Sequence, residues 1–117
     1  MPYDISLSDK GSITIATIKG TIVGPDDRET IRGKFQELLE EGRTSLILDL
    51  GQVTFVDSGG IGGLIAISNS VMRKSGCMRL LHVTKKMHDV LQITRLSSVF
   101  GMYDDLQKAL ESFESLD

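Results

Sequence analysis

Apolar residues recur along this chain with two different periods, and the change of period separates strands from helices. Ile5 and Leu7 alternate with serines, and Ile13 and Ile15 resume the alternation after a short polar gap that contains a glycine. Alternation of this kind is typical of a strand with one buried face, and a glycine in the gap is a turn signal. The pattern therefore predicts an opening β-hairpin with its turn at residues 9–12.

A helical stripe follows the hairpin. Its apolar positions, spaced i, i+4, i+7 and i+8, are Ile31, Phe35, Leu38 and Leu39. This is the period of one helix face. Asp26 and Glu29 have the spacing of a capping box at the start of the helix, and Gly42 suits a left-handed conformation at its end. Gly33 falls inside the helix, where close packing against a neighbour is the only reason that the sequence suggests for it.

The rest of the chain alternates between strands and helices. Residues 46–50 form a nearly continuous apolar run, and Val53, Phe55 and Val56 continue its burial, as expected for a strand inside a sheet. The later elements are a helix over 61–72, a strand at 78–83, a helix capped by Thr84, a short strand at 98–100 and a helix that begins at Asp104 or Asp105. The order β-β-α-β-α-β-α-β-α predicts an α/β fold: a mixed sheet of about five strands with an opening hairpin and about four helices.

The size and charge of the chain narrow the function. A length of 117 residues suits one domain over 1–117. A net charge of −3 offers no basic excess to neutralise phosphates, which argues against nucleic acid as the main partner and against an anionic membrane surface. No apolar run approaches the roughly 20 residues that cross a bilayer, and residues 1–10 lack the features of a signal peptide. We therefore expect a cytoplasmic protein.

Cysteine and histidine give little support for a cofactor or metal. Cys77 is the only cysteine, so no intramolecular disulfide can form, and its apolar neighbours predict a buried structural thiol. His82 and His88 do not have a helical i, i+4 spacing, and neither has the sequence context of a metal or catalytic site. We expect neither a cofactor nor a metal.

The segment with the clearest functional pattern is the turn at residues 57–63, where an apolar strand leads into a helix. Such a turn lies at the carboxyl end of a strand, which is where α/β sheets place their binding sites. Four of the five residues 59–63 are glycines, so we expect the backbone of the first helical turn to be exposed to a partner. The purely local interpretation is that Asp57 or Ser58 caps the helix and the glycines permit a tight turn.

Known catalytic and nucleotide-binding motifs do not fit this turn. A dinucleotide fingerprint would need glycine where Ile65 stands, and the Gly-Lys-Ser/Thr of a P-loop is missing. A serine-hydrolase elbow would need Gly-x-Ser-x-Gly, but Val56 and Asp57 precede Ser58. The sequence therefore favours a binding module over an enzyme.

At this turn the chain resembles the STAS domains, and among them the bacterial anti-sigma-factor antagonists. The resemblance is carried by the run 46–50, by the Asp-Ser-x-Gly-Ile-Gly core that begins at Asp57, and by the segments 18–20, 91–100 and 109–110. It implies an anti-sigma factor of the protein-kinase type as partner, and a phosphatase that resets the cycle. The partner-binding residues that it implies are Asp57, Ser58, Gly59, Gly60 and Ile61.

The resemblance also implies a phosphorylation switch, from which this chain departs. The usual acceptor is the second residue after the signature aspartate, and here that residue is Gly59. Three alternatives follow. Ser58 takes over as acceptor, or the protein is a permanently unmodified antagonist, or it serves another STAS role, such as the regulatory subunit of a membrane-associated transporter or signalling assembly. We favour the last two. Ser68 and Asn69 belong either to the partner face or to the solvent side of the helix.

Overall fold

The computed structural model describes residues 3–85, 87–89 and 101–114. The strands are β1 (Tyr3–Lys10), β2 (Ile13–Ile22), β3 (Ser45–Val56), β4 (Cys77–Leu81) and β5 (Gly101–Tyr103). The helices are α1 (Gly24–Glu40), α2 (Ser58–Arg73), α3, to which the helical residues 85 and 87–89 belong, and α4 (Leu106–Glu111).

The five strands form one mixed sheet in the order β1-β2-β3-β4-β5. β1 is antiparallel to β2, and the pairs β2–β3, β3–β4 and β4–β5 are parallel. The opening hairpin turns tightly at residues 11–12, where Gly11 adopts a φ of 61°. The predicted α/β fold with an opening hairpin, about five strands and about four helices is confirmed.

The sheet is covered on both faces, because successive side chains of a strand point to opposite sides. On one face α1 and α2 pack on a large apolar cluster that includes Leu46, Leu48 and Leu50 of β3. On the other face α4 covers a smaller cluster that includes Ile47 and Ala109. This arrangement explains the continuous apolar run of β3, since both of its faces are buried.

The structure confirms three of the predictions made for the helix ends and contradicts one made for a helix interior. Gly42 follows α1 with a φ of 85°, as predicted. Thr84 accepts a hydrogen bond from the N–H of Met87 at 3.3 Å, and Asp105 caps α4, both as predicted. The close packing predicted for Gly33 is wrong, since Gly33 is exposed and a Cβ there would have no neighbour within 4 Å.

The predicted capping box of Asp26 and Glu29 is also wrong. α1 begins at Gly24, so Asp26 lies within the first turn, and the N-cap residue Val23 offers no side-chain cap. The strand predicted at 98–100 and the segment 91–96 of the family resemblance lie outside the described residues. In the described part of the chain, no helix combines the length and the apolar character needed to cross a membrane.

Candidate functional site

The candidate site lies where two parallel strands end side by side. Ile22, the last residue of β2, is paired with Val56, the last residue of β3. α1 starts after β2, and α2 starts after β3, with one residue between the strand and the helix in each case. The N–H of Asp57 donates to the carbonyl of Ile22 at 3.2 Å, which ties the two chain segments together. Two helix starts therefore lie next to each other at this edge of the sheet.

Asp57 joins the two helix starts through its two carboxylate oxygens. Oδ1 accepts a hydrogen bond from the N–H of Gly60 at 2.7 Å, within α2. Oδ2 accepts a hydrogen bond from the N–H of Gly24 at 3.0 Å, the first residue of α1. Of the two helix caps left open by the sequence, Asp57 is the one observed.

The surroundings of Asp57 favour its charged form. The hydrogen bond from Gly24, and then that from Gly60, hold the pKa of the Asp57 carboxyl below its ordinary value, and the positive charge of Arg28 lowers it further. Desolvation raises the pKa; it is weaker than either of these two hydrogen bonds, although stronger than the effect of Arg28. The carboxylate is therefore ionised at neutral pH and remains a strong hydrogen-bond acceptor for both helices.

Ser58 and Gly59 form the outer part of the turn. Ser58 is the first residue of α2 and is exposed. Gly59 is half-buried beneath the guanidinium of Arg28: a Cβ at position 59 would lie 2.7 Å from Nη1 and 2.8 Å from Cζ. The backbone at Gly59 is thus partly covered by an arginine from the neighbouring helix.

Gly60 and Ile61 lie in the interior. A Cβ at Gly60 would lie 2.3 Å from Cγ2 of Val56, and Ile61 is 6% exposed. The expectation that glycines expose the whole first turn of α2 is therefore wrong at Gly60, and it holds at Gly62, which is exposed with open space around it. Partner contact by residues 57–61 stays a prediction.

Two apolar side chains beside the turn are exposed, and the sequence pattern did not identify either. Val23 is 40% exposed and Phe55 is 45% exposed. The predicted burial of Phe55 is wrong because β3 contains a bulge: Gly20 pairs with Val53, but the next residue of β2 pairs with Phe55. The extra residue reverses the alternation of faces along the strand. Val23 immediately precedes α1, and Phe55 lies three residues before the start of α2.

The two polar residues proposed for the partner face of α2 differ in exposure. Ser68 is 6% exposed and belongs to the interior, whereas Asn69 is exposed. Only Asn69 can therefore contribute to a surface.

The cysteine and the first histidine have surroundings that the sequence did not indicate. Cys77 is half-buried rather than buried, because it begins β4 at the amino end of the sheet, and Nη1 of Arg79 donates to its Sγ. Nδ1 of His82 lies 3.0 Å from Oδ1 of Asp49. Neither residue belongs to the turn at residues 57–63. No group of three side chains suited to a metal ion occurs within 3–85, 87–89 and 101–114.

The arrangement of strands, helices and turn agrees with a known family. The STAS domain matches residues 4–109, which is nearly the whole chain. The chain belongs to the STAS family. Residues 57–61 of this STAS domain thus stand in the strand-to-helix context that the resemblance predicted.

Three curated relatives of this STAS domain are named as anti-sigma factor antagonists. It is similar to a Thermotoga neapolitana protein named as the homologue of an anti-sigma factor antagonist, with 31% identity over 80 residues, 68% of this chain and 71% of the relative. A solved anti-sigma factor antagonist of Thermotoga maritima has a TM-score of 0.81 and 22% identity, over 92% of both chains. The unphosphorylated form of the anti-sigma factor antagonist SpoIIAA has a TM-score of 0.74 and 20% identity, over 97% of this chain and all of that one. These two structures share the fold of this STAS domain.

Proposed function

We propose that this STAS domain is an anti-sigma factor antagonist: a non-enzymatic binding module that docks onto an anti-sigma factor of the protein-kinase type in the cytoplasm and so frees a sigma factor. The chain would act as one domain over residues 1–117. The names of its relatives support the class of partner. The observation that carries the proposal is the surface around Asp57, where one carboxylate fixes two helix starts.

A fixed backbone suits binding because less conformational freedom is lost when the partner docks. We define the docking turn as residues 57–61. Ser58 and Gly59 supply its outer contacts, whereas Gly60 and Ile61 support it from the interior. Val23 and Phe55 add exposed apolar area next to it, and partly exposed apolar side chains surrounded by polar ones are typical of protein-binding patches.

The docking turn acts without phosphorylation at the usual place. Gly59 has no hydroxyl, and Ser58 is the one hydroxyl-bearing residue in the docking turn. An antagonist with no phosphate on this surface stays competent to bind, because nearly two negative charges are never added beside Asp57. A phosphatase would then have no substrate at position 59 of this chain.

A binding measurement with a matched control tests the proposed docking surface. Isothermal titration of the anti-sigma factor from the same genome is expected to give a complex with the wild-type chain. Phe55→Ala and Val23→Ala are each expected to weaken binding by about tenfold, or about 1.4 kcal/mol, because the residues that lose more than about 1 kcal/mol on truncation cluster near the centre of an interface. Met72→Ala is the control, since Met72 is 56% exposed but lies at the far end of α2. Absence of binding by the wild-type chain, with capture of a transporter component instead, contradicts the proposal.

Intact-mass measurement tests the absence of phospho-control. After incubation with the kinase-type anti-sigma factor and ATP, the wild-type mass is expected to stay unchanged, while the Gly59→Ser variant is expected to gain one phosphate. The variant shows that the kinase is active. A phosphate on Ser58 of the wild-type chain would make the protein a switch and would contradict the unmodified mode of action.

A further inference from the structure

Arg28 of α1 lies across the start of α2. Its Nε donates to the carbonyl of Gly24 at 3.3 Å, so the side chain folds back along its own helix. Its guanidinium covers Gly59, and its Cγ lies 3.8 Å from the position that a Cβ at Gly63 would take. The glycines of α2 thus leave the room in which this arginine rests, and a groove between α1 and α2 results. Its charged lining residues are Arg28, Arg32 and Glu29.

The charge of Arg28 is not matched by an ion pair. Among the described residues, Arg28 has the one hydrogen bond to Gly24 and no carboxylate within 4 Å of its nitrogens. The next arginine of α1, Arg32, differs, since its Nη1 lies 3.9 Å from Oε2 of Glu29. Asp57 attracts Arg28 over a longer distance, but both of its oxygens already accept backbone hydrogen bonds. A guanidinium carries five N–H donors, so most of those of Arg28 remain for another acceptor.

We infer that Arg28 is a recognition residue that binds an aspartate or glutamate side chain of the partner protein in the groove between α1 and α2. The inference rests on the proposed function and adds the chemistry of the partner surface: an acidic side chain next to apolar ones. The planar fork of arginine suits a carboxylate, which it can bind through two parallel hydrogen bonds. A half-buried cation without an ion pair selects the complementary charge and disfavours a basic partner surface.

The position of the Arg28 side chain depends on the absence of a side chain at Gly59. A side chain at position 59 would occupy the volume of the guanidinium, with its Cβ 2.7 Å from Nη1. The flexible arginine would then move out of the groove. The position at which the family resemblance predicts an acceptor hydroxyl is therefore covered by the positive charge of Arg28 in this chain.

Charge variants of Arg28 and of a distant arginine, Arg73, test the inference. Dissociation constants are measured for the purified anti-sigma factor of the same genome, and the urea midpoint of each variant verifies folding. Arg28→Gln is expected to weaken binding at least about tenfold, and Arg28→Glu about a hundredfold or more, because a desolvated charge of the partner loses its counter-charge. Arg73→Gln is the control and is expected to change binding less than about threefold, since Arg73 is an exposed arginine at the far end of α2, outside the groove.

A reciprocal change in the partner separates recognition from a structural role of Arg28. Each exposed acidic residue of the anti-sigma factor surface that contacts this chain is changed to lysine in turn. One such variant is expected to recover at least about tenfold of the affinity that Arg28→Glu loses. The inference alone is overturned if the wild-type chain binds and all Arg28 variants bind with the same affinity. It is also overturned if no partner variant recovers the affinity that Arg28→Glu loses. A wild-type chain that does not bind the anti-sigma factor overturns the proposed function, and the inference with it.

Discussion

Helices α1 and α2 start side by side at the same edge of the sheet, but they are held in different ways. α2 has a local cap, because Asp57 immediately precedes it and accepts the N–H of Gly60. α1 has no side-chain cap of its own, since Val23 precedes it. Its first N–H is instead bound by Asp57, 33 positions further along the chain. The N–H of Val23 donates locally to Oδ2 of Asp27 at 3.0 Å, but the first N–H of the helix itself depends on the tertiary structure. A change at Asp57 therefore affects both helices.

Glycine has opposite consequences in these two helices. Gly60 of α2 is packed so closely that a Cβ would lie 2.3 Å from Cγ2 of Val56 and 3.4 Å from Cγ2 of Ile22. Gly33 of α1 is exposed, and a Cβ there would meet nothing within 4 Å. The same residue type therefore permits a close approach at the docking turn and only weakens the helix elsewhere. Substitutions at the two helices can test this difference directly.

The largest effect is expected from Gly60→Ala. The added methyl group collides with a β-branched residue of β3, which cannot move aside without disturbing the sheet, so we expect the free energy of unfolding to fall by about 1–3 kcal/mol. Gly62→Ala adds the same methyl group two residues further along α2, where the surrounding space is open. We expect this variant to be neutral or stabilising by up to about 1 kcal/mol. Urea unfolding measures both. Equal changes in the free energy of unfolding for the two variants would show that the close packing at Gly60 does not determine the stability of the turn.

The next effect in size is expected from Asp57→Ala, which removes the acceptor for two helix starts. Asp105→Ala is the matched control, because Asp105 caps only α4, through hydrogen bonds to the N–H groups of Gln107 and Lys108. Loss of a single cap costs about 0.5–2 kcal/mol, and we expect Asp57→Ala to lower the urea midpoint further than Asp105→Ala. Amide exchange is expected to speed up at Gly24 as well as at Gly60. If Gly24 stays protected, Asp57 does not hold α1.

A smaller effect is expected from acid. Because the pKa of Asp57 is lowered in the folded state, its charged form stabilises the protein above the unfolded pKa of about 3.9. That contribution is lost as the pH falls towards the lowered folded value. Asp57→Asn is expected to be less stable than the wild-type chain at pH 7, and the difference is expected to shrink below about pH 4. A difference that stays constant between pH 7 and pH 2 would contradict the assigned hydrogen bonds.

The features that could be predicted from the sequence are those that depend on residues close together along the chain. The period of apolar residues fixes the strands and helices, and the cap of α2 involves residues only three positions apart, so both were predictable. The bond from Asp57 to Gly24 and the position of Arg28 over Gly59 depend on how α1 and α2 pack together. Neither has a signal in the spacing of residues, and both are central to the site.

Two of the wrong predictions have the same physical origin. Asp26 and Glu29 have the spacing of a capping box, but the N-cap of α1 is Val23, three residues earlier, and the first N–H of the helix is bound by the distant Asp57. Phe55 follows the alternation of a buried strand, but the bulge opposite β2 turns it towards solvent. In both cases a contact with another element overrides a correct local pattern, and in both cases the consequence appears at the docking turn.

The smallest effect is expected from Gly33→Ala in α1, and it isolates the part of helix stability that does not depend on the docking turn. The position is exposed and helical, so the methyl group meets no neighbour and the unfolded chain loses conformational freedom. We expect a stabilisation of about 0.5–1 kcal/mol in urea unfolding, with unchanged affinity for the anti-sigma factor. Gly42→Ala, at a φ of 85°, is the opposite control and is expected to destabilise. A loss of affinity in Gly33→Ala would mean that the binding surface extends along α1 beyond the groove that contains Arg28.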